Sequence, residues 1–276
     1  MRILHILDHG LPLHSGYAFR TRAILKAQIA RGWDVAAVTG PRHGEAPEAY
    51  EVIDGLRFFR TTAPKAAPPP LGEWREIDSF ARRIRQVALG FQPDVLHAHS
   101  PVLDAMAALR VKRQLGLPLV YEIRAFWEDA AVGNGTGREG SLRYRVTKAL
   151  ETRAVKKADA VAVICEGLRD DLIGRGIDPA KIFVSPNGVD MGVFGEPVPH
   201  DAALAAELGL KGAETIGFIG SFYDYEGLDD LIAAMPALVA ARPRMHLLMV
   251  GGGPMEAALR AQAAASSVAD RIRLRG

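Results

Sequence analysis

The chain has 276 residues, 49% hydrophobic and 24% charged, enough to bury one large core or two moderate ones. Lys and Arg number 34 against 32 Asp and Glu, a formal net charge of +2, which argues against a dedicated nucleic-acid binder despite a pI near 8.7. A lone cysteine, Cys165, excludes an internal disulfide and fits a reducing, cytoplasmic setting, and no run reaches the roughly 20 apolar residues that span a bilayer.

The opening apolar run is broken by Asp8, His9 and His14 and lacks a cleavage site, so it reads as a buried strand, Ile3 to Leu7. Further short apolar runs without strict alternation lie at Val35 to Val38, Val95 to Ala98, Leu119 to Ile123 and Ala160 to Ile164. Continuous apolar strands are expected where helices cover both faces of a parallel sheet. Helical spacing marks Tyr17 to Arg31, Trp74 to Leu89, Leu103 to Leu115, Leu142 to Lys157 and Gly167 to Arg175. An extra hairpin is predicted over Val52 to Arg60, turning at Asp54-Gly55, and the four prolines between Thr62 and Gly72 forbid helix or central strand there. The order is that of an α/β doubly wound domain over residues 1–190.

A linker over 191–212 follows, then a second βα series over 213–276. Its strands are predicted at Thr215 to Ile219, His246 to Val250 and Arg271 to Leu274, and its helices at Leu228 to Ala241 and Met255 to Ala264. Three strands are half of a doubly wound domain, so the second domain is expected to be truncated. A ligand cleft is expected between the two.

Such sheets bind ligands at the carboxyl ends of their strands. After the first strand come Asp8-His9-Gly10 and then His14-Ser15-Gly16, where Gly16 lets backbone approach a ligand at a helix N-terminus. After the third main strand come His97 and His99, expected on opposite faces and so poor joint metal ligands, and Ser100-Pro101, expected to cap the next helix. The next strand ends in Tyr121-Glu122-Ile123-Arg124-Ala125-Phe126-Trp127-Glu128-Asp129, the densest cluster of acids, Arg and aromatics in the chain. Its functional reading is a site for a sugar or polar acceptor; its structural reading is an Arg–carboxylate network under an aromatic lid. Val132 to Gly140, with four glycines, is expected to be a flexible binding loop. In the second domain Gly220-Ser221-Phe222 and Gly251-Gly252-Gly253 follow strands and open onto helices, as backbone donors to a nucleotide would.

Taken in order, HSG at His14, HAHSP at His97, PNGVD at Pro186, GFIGSFYDYEGLDDLI at Gly217 and VGGGP at Val250 resemble the GT-B, family 4 retaining glycosyltransferases. YEIRAFWED and SFYDYEG resemble more closely the subgroup found in exosortase-linked exopolysaccharide clusters. The resemblance implies two Rossmann-like domains, an acceptor on the first and a nucleotide-sugar, expected to be UDP-linked, on the second. The acceptor it implies is a growing polysaccharide or lipid-linked glycan. It implies no cofactor, no metal and no protein nucleophile. Gly16, Gly220, Ser221, Phe222, Glu226, Gly251, Gly252 and Gly253 then fall to the donor. His97, Glu122, Glu128, Asp129 and Asn187 fall to the acceptor side, and Arg124 and His99 to the chemistry.

Three departures stand out. Ser221 and Glu226 occupy positions where the family commonly carries Arg and Lys, and Arg124 replaces a frequent strand-end His. The family's E-x7-E segment would lie beyond Gly276, so this chain alone is expected to be inactive. Two other readings remain on the same architecture: a nucleotide-sugar 2-epimerase, and a degenerate transferase that only binds glycan. The basic helix 142–157, with Arg143, Arg145, Lys148, Arg153, Lys156 and Lys157 against Glu151, offers a peripheral membrane contact.

Overall fold

The computed structural model describes residues 1–44, 48–133 and 135–276. The chain divides into two compact units, Met1–Gly188 and Val189–Gly276. The first contains β1 (Arg2–Leu7), α1 (Gly16–Ala30), β2 (Asp34–Thr39), β3 (Tyr50–Ile53) and β4 (Leu56–Phe59). It continues through α2 (Leu71–Phe91), β5 (Val95–His99), α3 (Val102–Leu115), β6 (Leu119–Ile123) and α4 (Trp127–Gly133). It closes with α5 (Leu142–Lys157), β7 (Ala160–Val163), α6 (Glu166–Gly174) and β8 (Ile182–Val184).

These strands form one sheet in the order β3-β4-β2-β1-β5-β6-β7-β8, parallel except for the β3–β4 hairpin. The order reverses between β1 and β5, which makes their carboxyl ends the switch point where open α/β sheets bind ligands. The hairpin turns at Asp54 (φ 55°) and Gly55 (φ 75°), the paired left-handed geometry that Asp-Gly favours. Leu4, Ile6, Leu96, Leu119, Tyr121 and Val161 fill the central strands of the main core.

The second unit contains α7 (Met191–Phe194), α8 (Ala202–Glu207), β9 (Glu214–Ile219), α9 (Leu228–Ala241), β10 (Met245–Val250), α10 (Glu256–Ala265) and β11 (Ile272–Arg275). Its parallel three-stranded sheet runs β11-β10-β9, and its own core packs Phe222, Ile232, Met235, Leu247, Met249 and Leu259.

Several local readings need correction. The segment 191–212 is not structureless: it holds α7 and α8, whose first turns are capped by the Asp190 and Asp201 carboxylates. β8 has only three residues, too short for any periodicity to mark it. The expected loop over 132–140 begins inside α4, and its position 134 lies outside the described residues. In β10 every second residue is buried, because its helices cover one face of that sheet.

Candidate functional site

The site residues of the first unit sit on β1, β5 and β6, at or near their carboxyl ends. In register, His5 lies beside His97, and His99 beside Glu122. The expectation that His97 and His99 face opposite ways is wrong. Strand side chains alternate, so residues two apart share a face. The two imidazoles stack at 4.4 Å between ring centres, and His5 joins them at 4.8 and 5.2 Å.

Ring nitrogens of His5, His97 and His99 come within 4.8 Å of one another, close enough to suggest a metal tripod. The hydrogen bonds argue otherwise. Arg124 Nη2 lies 2.8 Å from His99 Nδ1, and a guanidinium only donates. His99 therefore carries its proton on Nε2 and donates it to His5 Nδ1 at 2.9 Å. His5 in turn donates from Nε2 to Gln28 Oε1 at 2.8 Å. This one-way chain occupies the lone pairs of His5 and His99 that a metal needs. Burial and the neighbouring His97 lower His5 to a pKa of about 3, and burial holds His99 well below the usual histidine range, so both rings are neutral.

Glu122 is the counter-charge. It is almost fully buried and accepts from Arg20 Nε and Arg124 Nε, each at 3.0 Å, with His97 Nε2 3.2 Å away. Burial pushes its carboxyl up, but the neighbouring His97 and the Arg124 guanidinium outweigh burial and hold it well below the carboxylate range. Arg124 also donates to Tyr17 O at 2.9 Å and Thr21 Oγ1 at 3.0 Å, with its guanidinium 4.3 Å over the Tyr17 ring. Four of its five N–H bonds are thus committed, and His99 has no exposed surface. Ser100 does not cap the next helix; its Oγ accepts the Arg124 backbone N–H at 3.2 Å.

Arg20, on α1, was not legible in the sequence. It donates to Ser185 O at 2.9 Å, Pro186 O at 3.1 Å and Asn187 Oδ1 at 2.8 Å, tying the exposed Asn187 segment to the Glu122 cluster. His5 carried a signal: a polar residue inside an otherwise apolar strand demands a buried partner.

The loop between β1 and α1 brings a second set together. Asp8 Oδ2 lies 2.9 Å from His9 Nδ1, and His9 Nε2 lies 2.8 Å from Ser15 Oγ. Ser15 caps α1 by accepting the Ala18 N–H at 3.1 Å. Gly16 is exposed, and a Cβ there would meet nothing within 4 Å, which leaves open space in front of the first amides of α1.

Glu128 and Asp129 open α4, where carboxylates favour a helix N-terminus. They part company beyond that. Glu128 is buried and pairs with Arg175 at 2.9 Å, whereas Asp129 is exposed and accepts from the Tyr144 hydroxyl at 2.8 Å.

In the second unit the strand-end loops of β9 and β10 are held backbone to backbone. Gly251 has φ 141°, and a Cβ on it would fall 1.9 Å from Gly220 O. Gly253 has φ 152°, and its Cβ would fall 2.9 Å from Phe222 N. Both positions demand glycine. Phe222 is a core residue with no exposed surface, so its side chain is not a donor contact; its N–H donates to Gly252 O at 2.9 Å. Ser221 and Glu226 are exposed, and Asp224, Asp229 and Asp230 lie near Glu226 in the chain.

Among the described residues no helix is long and apolar enough to cross a membrane. Residues 15–188 match the pattern of the family described as "Glycosyl transferase 4-like domain", and residues 213–276 that of "Glycosyl transferases group 1". The chain is 29% identical over 233 residues to the D-inositol 3-phosphate glycosyltransferase of Segniliparus rotundus, covering 80% of this chain and 49% of that protein. It is 26% identical over 256 residues to the GDP-mannose-dependent alpha-mannosyltransferase of Mycolicibacterium smegmatis, covering 92% and 64%. The chain therefore spans about half to two thirds of the length of these curated relatives. In fold it is similar to sucrose-phosphate synthase from Thermosynechococcus elongatus, with TM-score 0.74, 22% identity and coverage of 100% and 70%. It is also similar to Anabaena HepE in complex with UDP-glucose, with TM-score 0.67, 18% identity and coverage of 100% and 69%. These likenesses establish the GT-B fold. The match over most of the first unit, followed by the group 1 match in the second, makes this chain a member of the glycosyl transferase 4-like, group 1 glycosyltransferases.

Proposed function

We propose that the chain serves in a retaining transfer of a sugar from a nucleotide-sugar, UDP-linked, to a glycan or lipid-linked acceptor of exopolysaccharide type. The observation that carries this reading is the pair of interlocked glycine loops, Gly220–Phe222 and Gly251–Gly253. Gly251 and Gly253 leave no room for a side chain, and the loops present backbone at strand ends, where a nucleotide diphosphate is held in such sheets. Gly16, at the first turn of α1, has open space of the kind an anion at a helix N-terminus needs.

On the acceptor side the exposed Asp129 and Asn187 offer the polar groups, while Glu128 is buried against Arg175. Arg124 and His99 act from behind as positioning residues, since their hydrogen bonds are already used. Donor phosphates supply the leaving group, and the proposed chemistry calls for no resident cofactor or metal. Transfer of this kind needs the developing charge on the diphosphate to be met by fixed donors, here backbone amides rather than the missing Arg and Lys.

The relatives' names differ on the donor. One names GDP-mannose, and the HepE structure holds UDP-glucose. The acids around Glu226 favour a second reading, a glycan-binding module without turnover. Structures of UDP-N-acetylglucosamine 2-epimerases share the fold at lower TM-scores of 0.61 and 0.58.

Thermal unfolding with UDP, GDP and ADP in turn tests the proposal. A nucleotide at a hundred times its dissociation constant stabilises by about 2.7 kcal/mol. A shift with UDP alone supports the reading as stated, and a shift with GDP alone replaces the donor. No shift with any of them moves the assignment to the binding module. Interconversion of the donor sugar without acceptor would indicate an epimerase. The proposed setting is cytoplasmic, with α5 resting on an anionic membrane surface.

A further inference from the structure

The loop between β1 and α1 lines up a carboxylate, an imidazole and a hydroxyl. Asp8 Oδ2 lies 2.9 Å from His9 Nδ1, and His9 Nε2 lies 2.8 Å from Ser15 Oγ. A carboxylate only accepts, so the proton between the first pair sits on Nδ1, and a neutral His9 keeps its lone pair on Nε2. Ser15 Oγ accepts the Ala18 N–H at 3.1 Å and donates its own proton to that lone pair. His9 is also stacked on Tyr17, with ring centres 4.5 Å apart. A hydroxyl bonded to a base that a third group orients is the arrangement of an activated nucleophile. A plain helix cap needs only the Ser15 hydroxyl and gives no reason for His9 and Asp8 behind it.

The set is open to solvent. His9 keeps 25% of its side-chain surface, Ser15 is half-buried and Gly16 is exposed. A Cβ on Gly16 would meet nothing within 4 Å. Helix α1 supplies donors for a charged oxygen. Its Ala18 N–H goes to Ser15 Oγ and its Phe19 N–H to Ser15 O, while the Gly16 and Tyr17 N–H groups have no acceptor within the helix. Leu13 and Phe19 are exposed on either side of Ser15 in the chain and offer apolar surface to a short acyl group.

We propose that Ser15 is the nucleophile of a second activity, hydrolysis of short-chain acyl esters, with His9 as general base and Asp8 as its positioning residue. Ser15 Oγ bonds to the ester carbonyl carbon while His9 Nε2 takes its proton. The carbonyl oxygen becomes an oxyanion beside the Gly16 and Tyr17 N–H groups. The ester C–O bond then breaks, and the leaving alcohol takes the proton from His9. Water repeats the sequence on acyl-Ser15. It gives one proton to His9, its oxygen bonds to the acyl carbon, the acid departs and Ser15 regains the proton. The net change is ester plus water to acid plus alcohol. This activity belongs to the first unit and does not rest on the transferase reading.

The test uses the whole chain and two probes. An alkyl fluorophosphonate should label Ser15, located by peptide mass spectrometry, and p-nitrophenyl acetate should be hydrolysed. Ser15→Asn keeps a good cap on α1 but has no nucleophile, so it should hold the wild-type melting temperature and lose both signals. His9→Phe keeps a ring against Tyr17 and leaves Ser15 in place. Labelling of Ser15 in that variant should fall about a hundredfold or more, as loss of a general base does. Asp8→Asn can turn an amide donor toward His9 Nδ1, so it should also slow labelling while the melting temperature holds.

An unlabelled Ser15 overturns the proposal. So does labelling at the wild-type rate in His9→Phe, which would leave Ser15 as a helix cap alone. Release of p-nitrophenol no faster than with Ser15→Asn overturns it as well.

Discussion

Glu151, on α5, has no exposed surface, and the Tyr121 hydroxyl donates to its Oε1 at 2.6 Å. Burial raises its pKa to about 7, with the neighbouring Glu128 adding to the rise while Tyr121 and Arg175 oppose it. The unfolded chain gives up this proton near the ordinary glutamate value of 4.5, whereas the folded chain keeps it to about 7. Between those values the native state binds more protons, so stability falls as pH rises through that window and levels off above it. The loss is on the order of 3 kcal/mol. Glu151→Gln keeps the shape and an acceptor for Tyr121 but cannot ionise. The neutral, buried His5 and His99 gain stability as pH rises in both proteins alike, so the difference carries the test: from pH 5 to pH 8, urea unfolding should show the variant gaining stability relative to the wild type. A stability difference between the two proteins that does not change across this range would disprove the assignment.

At the scale of elements, two segments carry consequences. Arg20 links α1 to the chain just before the boundary at Gly188, through three bonds to residues 185–187. Its guanidinium also balances the buried Glu122 charge, and removing one partner of a buried pair costs about 3–5 kcal/mol. Arg20→Ala should therefore lower the melting temperature and speed hydrogen exchange at amides 185–188 more than at β7, as mass spectrometry of exchanged peptides would show. Arg20→Lys should rescue only part, because an ammonium cannot reach those acceptors as a planar fork. On α5, Arg145, Lys148, Arg153, Lys156 and Lys157 share one helix face, and Leu142 and Val146 are exposed nearer its start. Each basic residue near an anionic surface contributes about 1 kcal/mol. Sedimentation with phosphatidylglycerol vesicles should pull the chain down at low salt and release it at high salt. Reversing Arg153, Lys156 and Lys157 to Glu should abolish binding, and equal binding to phosphatidylcholine would count against this surface.

At the scale of the whole molecule, each hydrophobic cluster of described residues belongs to one unit. Those of the first unit draw on residues between Ile3 and Val184, and that of the second on residues between Ile216 and Leu274. The second core is the smaller, and along its central strand only every second residue is buried. Denaturation should proceed in two steps, with the 189–276 unit losing structure at lower urea than 1–188. Fluorescence reports this directly, because Trp33, Trp74 and Trp127 all lie in the first unit, while far-UV circular dichroism sees both. Coincident transitions by the two probes would mean that the units unfold as one.

The sequence by itself determined the alternation of strands and helices, the Asp54-Gly55 turn and the glycine loops, because periodicity, left-handed turn geometry and small residues are local properties. It also placed Glu122, Arg124 and Glu128 at one strand end. Only the tertiary structure decided what each of them does. Parallel pairing of β1 with β5 set His5 against His97, and the donor chain from Arg124 through His99 to Gln28 fixed the tautomers. Arg20 found partners 102 and 165 to 167 residues away, and Glu128 met Arg175 on the neighbouring α6 cap. Contacts of that separation leave no trace in local patterning. They depend on strand order and register, which the packing of the whole sheet sets.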